Sequence, residues 1–243
     1  MKVVGRLAPT PSGLLHIGNA RTFLLAWLWA RSEGGKVIMR VEDIDLPRCK
    51  PEYREQALSD IAWLGLGWDE GPQAGDAVGV FDQHTRTDIY RQHLQTLIDK
   101  GLAYPCTCSR KDIREASSAP HGEEGAVYPG TCRDKYQNAE QALKDSGREP
   151  VWRFRFEGEW SYADKVSGDA SIDASTLGDF VLWRRDNLPS YQLAVTVDDA
   201  LMGVTQVLRG RDLKTSTFRQ LALYDALGLN PPSDWAHVPF LQD

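Results

Sequence analysis

The sequence lacks the features that would assign it to a membrane, secreted or strongly basic class. No apolar run approaches the ~20 residues of a membrane span, and Met1–Ala8 lacks the apolar core of a secretory signal. Basic residues are not in excess either, because 28 Lys and Arg stand against 34 Asp and Glu, giving a net charge of −6. Charge alone therefore does not indicate RNA binding, and we expect a globular cytoplasmic protein.

Cysteine is also scarce, and three of the four cysteines lie in one stretch of 27 residues. These three are Cys106, Cys108 and Cys132. In a cytosolic chain such clustering favours a metal over a disulfide, and zinc commonly takes four ligands. The phenol of Tyr128 and the imidazole of His121 are rival candidates for the fourth ligand. The alternative is a set of reduced cysteines that simply pack together.

The order of apolar segments predicts alternating strands and helices. Val3–Ala8 has the pattern of a short buried strand, which the prolines and glycine of residues 9–13 end. An apolar helix over Ala20–Arg31 then leads to a second strand at Lys36–Val41. Further helices are predicted from Pro51 to about Gly65, over Ile89–Ile98 and over Asp212–Leu227, and further strands at Val151–Phe156, Phe180–Arg185, Tyr191–Val197, Val204–Leu208 and His237–Leu241.

This alternation predicts an α/β fold with a doubly wound, Rossmann-like, mainly parallel sheet. The stretch Leu102–Gly147 is different, because it is rich in Cys, Gly, Pro and charge and has little periodicity. We therefore interpret it as an insertion into the α/β domain. Ligands are expected at the carboxyl ends of the parallel strands.

The segment His16-Ile17-Gly18-Asn19 lies between the first predicted strand and the first helix. Unpaired backbone N–H groups and the dipole at a helix N-terminus favour a bound phosphate. Gly18 would let a nucleotide base lie against the backbone, and His16 could donate a hydrogen bond to a phosphate as negative charge develops. The alternative is a capping loop with a solvated histidine.

A second turn of this kind is Arg209-Gly210-Arg211-Asp212, which follows a predicted strand and opens a helix. Asp43 and Asp45 follow the second strand. They are either contacts to a ribose or an RNA end, or solvated turn residues.

Five motifs occur along the chain in a family-specific order. They are Arg6 to Arg21 (RLAPTPSGLLHIGNAR), Arg40 to Asp45 (RVEDID), Tyr191 to Ala194 (YQLA), Val197 to Asp199 (VDD) and Leu208 to Gly210 (LRG). Together they resemble class I glutamyl- and glutaminyl-tRNA synthetases. The resemblance covers essentially the whole chain.

The resemblance implies two sets of ligand-binding residues. The residues implied for L-glutamate are Arg6, Ala8, Ser12, Glu42, Tyr191 and Arg209, in which the arginines bind carboxylates and Glu42 binds the α-ammonium. The residues implied for ATP are Pro9, His16, Gly18, Asn19, Gly210 and Asp212. For Glu42 the alternative is a surface ion pair.

The resemblance also implies the reaction. The glutamate carboxylate attacks the α-phosphate of ATP, with Mg²⁺ accompanying the phosphates, and gives glutamyl-adenylate and pyrophosphate. Catalysis then depends on positioning and charge stabilisation, so no covalent nucleophile or general base is required. His16 is the implied catalytic residue. We expect a monomer with a first catalytic half at residues 1–100, a zinc-binding and acceptor-type insertion at 101–190, and a second catalytic half at 191–243.

Two positions favour the branch of this family called glutamyl-Q synthetases, which transfer glutamate to the queuosine of tRNA(Asp). The spacing of Cys106, Cys108, Tyr128 and Cys132 is similar to the zinc site of that branch, whereas ordinary glutamyl synthetases often have a histidine where this chain has Asp134. Ordinary glutamyl synthetases also have asparagine where this chain has Val195. Loss of that contact is expected to loosen amino-acid binding.

Two other interpretations stay open. The sequence stops at Asp243, where the Lys-Met-Ser-Lys-Ser-type loop of the family would begin. The second interpretation is therefore a catalytic fragment of a glutamyl-tRNA synthetase that charges a tRNA 3′ end. The third interpretation belongs to another class: an inactive module that binds glutamate or a nucleotide without turnover.

Overall fold

The computed structural model describes residues 2–116 and 126–240 of the chain. Its strands are β1 (Val4–Leu7), β2 (Lys36–Met39), β3 (Ala103–Cys106), β4 (Val151–Phe154), β5 (Glu159–Asp164), β6 (Gly168–Asp173), β7 (Val181–Trp183), β8 (Gln206–Gly210) and β9 (Asp234–Val238). Its α-helices are α1 (Ile17–Ser32), α2 (Pro51–Trp63), α3 (Thr87–Asp99), α4 (Arg110–Ala116), α5 (Ala139–Ser146), α6 (Tyr191–Leu201) and α7 (Lys214–Leu227).

The first and last parts of the chain form neighbouring parallel strands. β1 pairs in parallel with β2, and β8 pairs in parallel with β9. The two pairs are joined where β1 and β8 begin, since Thr205 N donates to Val4 O at 2.9 Å. α1 packs against both β1 and β8. The carboxyl ends of β1 and β8 therefore meet at one edge, beside the N-terminus of α1.

The middle of the chain adds two antiparallel units. β3, β4 and β7 form a three-stranded antiparallel sheet. β5 and β6 form an antiparallel hairpin, and β5 also makes a parallel contact with β9 between Asp164 and Trp235. The hairpin thus extends the sheet of β8 and β9, although it lies within residues 101–190. The proposed division of the chain at residues 100 and 190 stays a prediction.

The two largest of the four hydrophobic clusters among the described residues pack these units together. The larger one joins α3, α6 and α7 to β3, β4 and β7, with Tyr90, Leu97, Leu182 and Leu193 fully buried. The other packs α1 and α2 onto β1 and β2. Within the described part of the chain, no helix is long and apolar enough to span a membrane.

Most predicted elements are confirmed, but one is wrong: Tyr191–Val197 is not a strand but the first part of α6. Ser190 caps this helix, since its side chain accepts a hydrogen bond from Leu193 N at 3.4 Å. Residues 193–199 are all buried. A helix that is buried all round shows no helical periodicity in its sequence, and this is why the segment has the pattern of a strand.

Two other boundaries shift. The predicted last strand begins earlier than expected, because β9 covers Asp234–Val238 and Pro239 follows it; Leu241, its expected end, lies outside the described residues. The helix predicted from Asp212 begins with a short 3₁₀ turn, Arg211–Leu213, before α7.

Candidate active site

His16 is the N-cap of α1, and its ring is fixed by the backbone that follows it. Gly18 N donates to His16 Nδ1 at 3.1 Å, and His16 N donates to the Asn19 side chain at 3.2 Å. A Cβ on Gly18 would lie 2.9 Å from His16 Cε1, so only glycine leaves room for the ring. Because Nδ1 accepts, the neutral ring carries its proton on Nε2. His16 is exposed, and Nε2–H is therefore available to a ligand.

A cavity of about 510 Å³ opens beside this helix N-terminus. Its lining includes every residue predicted for ATP: Pro9, His16, Gly18, Asn19, Gly210 and Asp212. Gly210 is tightly placed, since a Cβ there would lie 2.3 Å from Asp212 Oδ1. The two predicted nucleotide turns, which are nearly two hundred residues apart in sequence, thus form one cavity. We call it the nucleotide cavity.

A second cavity of about 290 Å³ adjoins the first, and we call it the amino-acid cavity. Five of the six residues predicted for glutamate line it: Arg6, Ala8, Glu42, Tyr191 and Arg209. The sixth, Ser12, is exposed and lines the nucleotide cavity instead. Ala8, Thr10 and Arg209 line both cavities, so the two share a wall.

Arg209 is buried in this wall, and its guanidinium is held in place by side chains around it. Nη2 donates to Thr217 Oγ1 at 2.7 Å, and Nη1 donates to Tyr191 OH at 3.4 Å. The guanidinium carbon also lies 5.4 Å from the centre of the Trp235 ring. These contacts hold the guanidinium in place at the wall of both cavities, and a planar guanidinium suits a carboxylate or a phosphate.

Charges under the amino-acid cavity are paired through Arg40. This fully buried residue donates to Glu42 Oε1 at 2.9 Å and to Asp199 Oδ1 at 2.6 Å. Burial opposes its charge, but Asp199, Glu42 and Asp198 outweigh that effect and raise the pKa of Arg40. Arg6 is the second cation of the group, with Nε 3.6 Å from Asp199 Oδ1.

Glu42 is not a surface ion pair. Only 10% of its side chain is exposed, and it lines the amino-acid cavity. Burial, the largest effect, raises the pKa of Glu42 in spite of the neighbouring Arg40. A carboxylate in this setting is stabilised by an added cation, which is the property expected of an ammonium-binding group.

Asp43 and Asp45 are paired with protein groups. Asp43 is buried and accepts hydrogen bonds from His84 N at 3.0 Å and from the His84 ring at 2.7 Å. Asp45 lies 3.1 Å from Arg184. Asp43 is therefore not a solvated turn residue.

The three clustered cysteines meet in space. The sulfurs of Cys106, Cys108 and Cys132 lie within 4.8 Å of one another. Tyr128 joins them, since its OH lies 3.3 Å from the Cys106 sulfur and Cys132 N donates to the same oxygen at 2.7 Å. A tetrahedral zinc with Zn–S bonds of about 2.3 Å needs sulfurs roughly 3.8 Å apart, so three thiolates and one phenol oxygen at these separations fit a zinc ion.

The environment of the cluster favours a thiolate at Cys132, whereas a hydrogen bond with Cys132 raises the pKa of Cys106 and burial raises the pKa of Cys108. A hydrogen bond from the Cys106 thiol, the largest effect, lowers the pKa of Cys132 to about 4. Burial raises the pKa of Tyr128, although the Arg153 guanidinium lies 3.9 Å from the centre of its ring. Asp134 takes no part, because it is exposed and pairs with Arg155 at 2.5 Å. His121, the rival fourth ligand, lies outside the described residues.

A groove of about 710 Å³ leads from the cysteine cluster toward Tyr191. Five arginines line it, against two aspartates: Arg48, Arg110, Arg153, Arg184 and Arg185, with Asp45 and Asp186. Arg185 is fixed to the backbone, since it donates to Glu149 O, Thr107 O and Cys108 O. Arg48 and Arg110 are exposed. In a chain with a net charge of −6, this arginine groove is a local basic surface.

Comparison with known proteins decides the family. The family model for tRNA synthetases class I (E and Q), catalytic domain, matches residues 2–241. The chain belongs to this family. Its fold is accordingly the Rossmann-like catalytic fold of class I synthetases, with a mainly parallel sheet.

Relatives within the family differ in how much of their length the chain covers. A glutamyl-Q tRNA(Asp) synthetase of Symbiobacterium thermophilum is 50% identical over 240 residues, which are 98% of this chain and 74% of that protein. A glutamate–tRNA ligase of the same organism is 40% identical over 244 residues, 98% of this chain and 50% of the ligase. The crystal structure of a glutamate tRNA ligase from Elizabethkingia meningosepticum, in complex with its amino acid, matches with a TM-score of 0.82 and 29% identity, over 98% of this chain and 49% of that chain. The chain thus spans about half the length of these two ligases.

Arg40, Asp198 and Asp199 belong to the sequence motifs, but the sequence alone predicts no role for them. These charged residues lie within apolar segments of the sequence. A charged residue that is buried with such a segment must be paired, so this position indicates a buried ion pair. Asp198 indeed accepts hydrogen bonds from Gln83, Arg86 and Tyr90. No local signal pointed to Asp164 or His237, which lie 73 residues apart and contact each other beneath Arg209.

Proposed function

We propose that this protein activates L-glutamate with ATP to form glutamyl-adenylate and transfers the glutamyl group to the queuosine of tRNA(Asp). The observation that carries the proposal is the shared wall of the two cavities, in which Arg209 adjoins both. An amino-acid carboxylate and an α-phosphate bound on either side of this wall would lie close enough to react.

The amino-acid cavity supports glutamate as the substrate. Its two buried arginines suit two carboxylates, and Glu42 suits the α-ammonium. Tyr191 adds a hydroxyl to the lining of the same cavity. A substrate that lacks one of these charges would leave a buried group unpaired, so the proposed site selects strongly against amino acids without a side-chain carboxylate.

The nucleotide cavity supports ATP as the second substrate, accompanied by Mg²⁺. In our proposal Nε2–H of His16 donates to the α-phosphate as charge develops in the transition state. The helix N-terminus behind it contributes in the same direction. We assign the adenosine to the side of Gly18 and Gly210, where the backbone is uncovered.

The comparisons support the glutamyl-Q branch over the glutamate–tRNA ligases. Within one organism the glutamyl-Q enzyme shares ten percentage points more identity with this chain, 50% against 40%. Tyr128 beside the thiols and an apolar Val195, fully buried one helical turn after Tyr191, agree with this branch. We propose the arginine groove as the path along which the tRNA reaches Tyr191.

We further propose one structural zinc ion held by Cys106, Cys108, Cys132 and Tyr128. It would join residues on both sides of residues 117–125 and so stabilise the region that forms one wall of the groove. The proposed enzyme acts in the cytoplasm, where its tRNA substrate occurs, and as a monomer.

Glutamate-dependent exchange of labelled pyrophosphate into ATP tests the function, measured with and without added tRNA. Exchange without tRNA supports the glutamyl-Q activity, and transfer of labelled glutamate to tRNA(Asp) with queuosine, but not without it, completes the test. Exchange that requires tRNA, with transfer to a 3′ end, would favour a glutamate–tRNA ligase. Binding of glutamate without exchange in either condition would favour an inactive binding module.

A further inference from the structure

Arg209 is supported from behind by a buried histidine. Arg209 Nε donates to His237 Nε2 at 3.1 Å, in addition to the bond from Nη2 to Thr217. The Thr217 hydroxyl lies 3.1 Å from the same ring nitrogen. Two of the three guanidinium nitrogens are thus bound on the protein side, which leaves Nη1 toward Tyr191 and the amino-acid cavity.

Asp164 determines which nitrogen of His237 accepts. Asp164 Oδ2 lies 2.5 Å from His237 Nδ1. Asp164 Oδ1 accepts from Val166 N at 2.9 Å and Ser167 N at 2.8 Å, which fixes the carboxylate in the turn after β5. Although burial opposes ionisation, these bonds lower the pKa of Asp164. An ionised carboxylate only accepts, so Nδ1 carries the proton and Nε2 has the lone pair that faces Arg209.

His237 is also neutral. Burial, followed by the positive charge of Arg209, lowers the pKa of His237 to about 4. Asp164 and His237 line neither the nucleotide cavity nor the amino-acid cavity. His237 lines a further cavity that shares Asp212 with the nucleotide cavity, and it reaches the amino-acid cavity through its contact with Arg209.

We propose that Asp164 and His237 are positioning residues that set the orientation of Arg209 for the substrate carboxylate. The inference rests on the proposed function, which makes Arg209 a glutamate ligand. A guanidinium binds a carboxylate well only when its plane is aligned with it, and an arginine free to rotate loses part of this advantage. Because Nη1 of Arg209 is directed to Tyr191 in the amino-acid cavity, we expect the pair to act mainly on glutamate affinity, although Arg209 also lines the nucleotide cavity.

Asp164→Asn tests the pair with a minimal change of shape. The amide oxygen would keep the turn to Val166 and Ser167, and the amide NH₂ would then face His237 Nδ1. The ring must accept at Nδ1 and carry its proton on Nε2, which opposes the N–H of Arg209. We expect the KM for glutamate to rise about tenfold or more, while kcat and the KM for ATP change by less than about threefold.

Asp179→Asn is the matched control for a merely structural effect. Asp179 is also buried, accepts from Tyr104 and Arg133, and lines neither cavity. We expect it to lower the melting temperature as Asp164→Asn does and to leave the KM for glutamate unchanged. Equal increases of that KM in both variants would overturn the proposal.

A conservative exchange at His237 separates hydrogen bonding from packing. His237→Gln retains an amide carbonyl that can accept from Arg209 and an NH₂ that can donate to Asp164, whereas His237→Leu retains neither. The KM for glutamate should rise in the leucine variant and should be close to the wild-type value in the glutamine variant. The same KM in both variants would contradict the proposed role.

Nitrogen-15 NMR of histidine-labelled protein tests the tautomer without any activity. We expect the His237 resonances of the wild type to show a protonated Nδ1 and an unprotonated Nε2, and the opposite in Asp164→Asn. A protonated Nε2 in the wild type would overturn the inference even in an active enzyme. If the tautomer is as expected but the wild type neither binds nor activates glutamate, the proposed function fails instead.

Discussion

Arg40 Nη2 donates a hydrogen bond of 2.9 Å to Glu42 Oε1, and the arginine that makes it is completely buried. The same guanidinium binds Asp199 at 2.6 Å. One buried cation thus joins a carboxylate that lines the amino-acid cavity to one that lies inside α6. This connection fixes Glu42 beside the cavity, so stability and the proposed binding of the α-ammonium would depend on the same charges.

Arg40→Leu should destabilise the fold strongly. It leaves Asp199 buried without its principal partner, and removal of one member of a buried pair costs about 3–5 kcal/mol of unfolding free energy. Arg148→Leu is the control, because Arg148 is half exposed and solvent screens its pair with Asp112, so its loss should change stability little. Urea unfolding of both variants gives the comparison, and similar losses would argue against a buried charge network.

Glu42→Gln should change the pH dependence of stability. Because burial raises the pKa of Glu42 above its ordinary value of 4.5, the folded protein retains this proton to higher pH than the unfolded chain does. The contribution of Glu42 to stability is therefore greatest below pH 4.5 and falls as pH rises through the raised pKa. The stability of Glu42→Gln minus that of the wild type should therefore be more favourable at pH 7 than at pH 4.

Thermal unfolding across this pH range measures the effect. Glu149→Gln removes the same charge from an exposed position and serves as the control. The same pH trend in both variants would be inconsistent with a buried Glu42. Glu42→Gln should also raise the KM for glutamate, since the neutral amide no longer attracts the α-ammonium.

His16 should affect turnover independently of helix capping. His16→Asn keeps a side-chain acceptor for the N-terminus of α1 but loses the Nε2–H donor, whereas His16→Ala loses both. Both variants should lower kcat about a hundredfold, by analogy with the loss of one transition-state hydrogen bond. Only His16→Ala should lower the melting temperature. An asparagine variant with normal kcat would exclude the proposed donor.

The cysteine cluster should bind one zinc ion per chain. Cys132→Ser should release it and lower the melting temperature, while Cys49→Ser changes a cysteine outside the cluster and should leave the metal content unaffected. Metal analysis of the purified variants is the measurement. Tyr128→Phe should weaken zinc binding and His121→Ala should not; the reverse result would identify His121 as the fourth ligand.

Reversal of charge in the arginine groove should weaken RNA binding without changing the activation of glutamate. Arg110→Glu should raise the Kd for tRNA at least several-fold, with a shallower salt dependence, because one phosphate contact is lost. Lys144→Glu makes the same change of charge on an exposed helix that does not line the groove. Pyrophosphate exchange without tRNA should be normal in both. Equal loss of tRNA affinity would show that net charge, rather than the groove, is responsible.

Local patterns predicted the first βαβ unit well. The turn between β1 and α1 is encoded by Pro9, Pro11 and Gly13, and the helix that follows has a clear stop at Gly34. These features act within a few residues, so they can be recognised without tertiary structure. The assignment of His16 and Gly18 to a phosphate-binding turn depended on the same short-range logic.

Elements that depend on contacts between residues far apart in the sequence were predicted less well. α6 has the pattern of a strand because Leu193, Val195 and Val197 stand at every second position and all are buried. The β5–β6 hairpin went unnoticed because its strands are half exposed and only six residues long. Its importance lies in Asp164, whose contact with His237 exists only after β5 has joined β9. No sequence pattern carries that information.

The wall common to the two cavities has a consequence for inhibitor design. Arg209, Ala8 and Thr10 belong to both sides, so a single molecule that carries glutamate and adenosine through a stable acyl linker could occupy the two cavities at once. Once one end is bound, the other end is held at a high effective concentration near the cavity that it fits. Such a bisubstrate compound should bind more tightly than glutamate and adenosine added together as separate molecules. A linker that is too long would lose this gain, because the wall is only as thick as the side chains that form it.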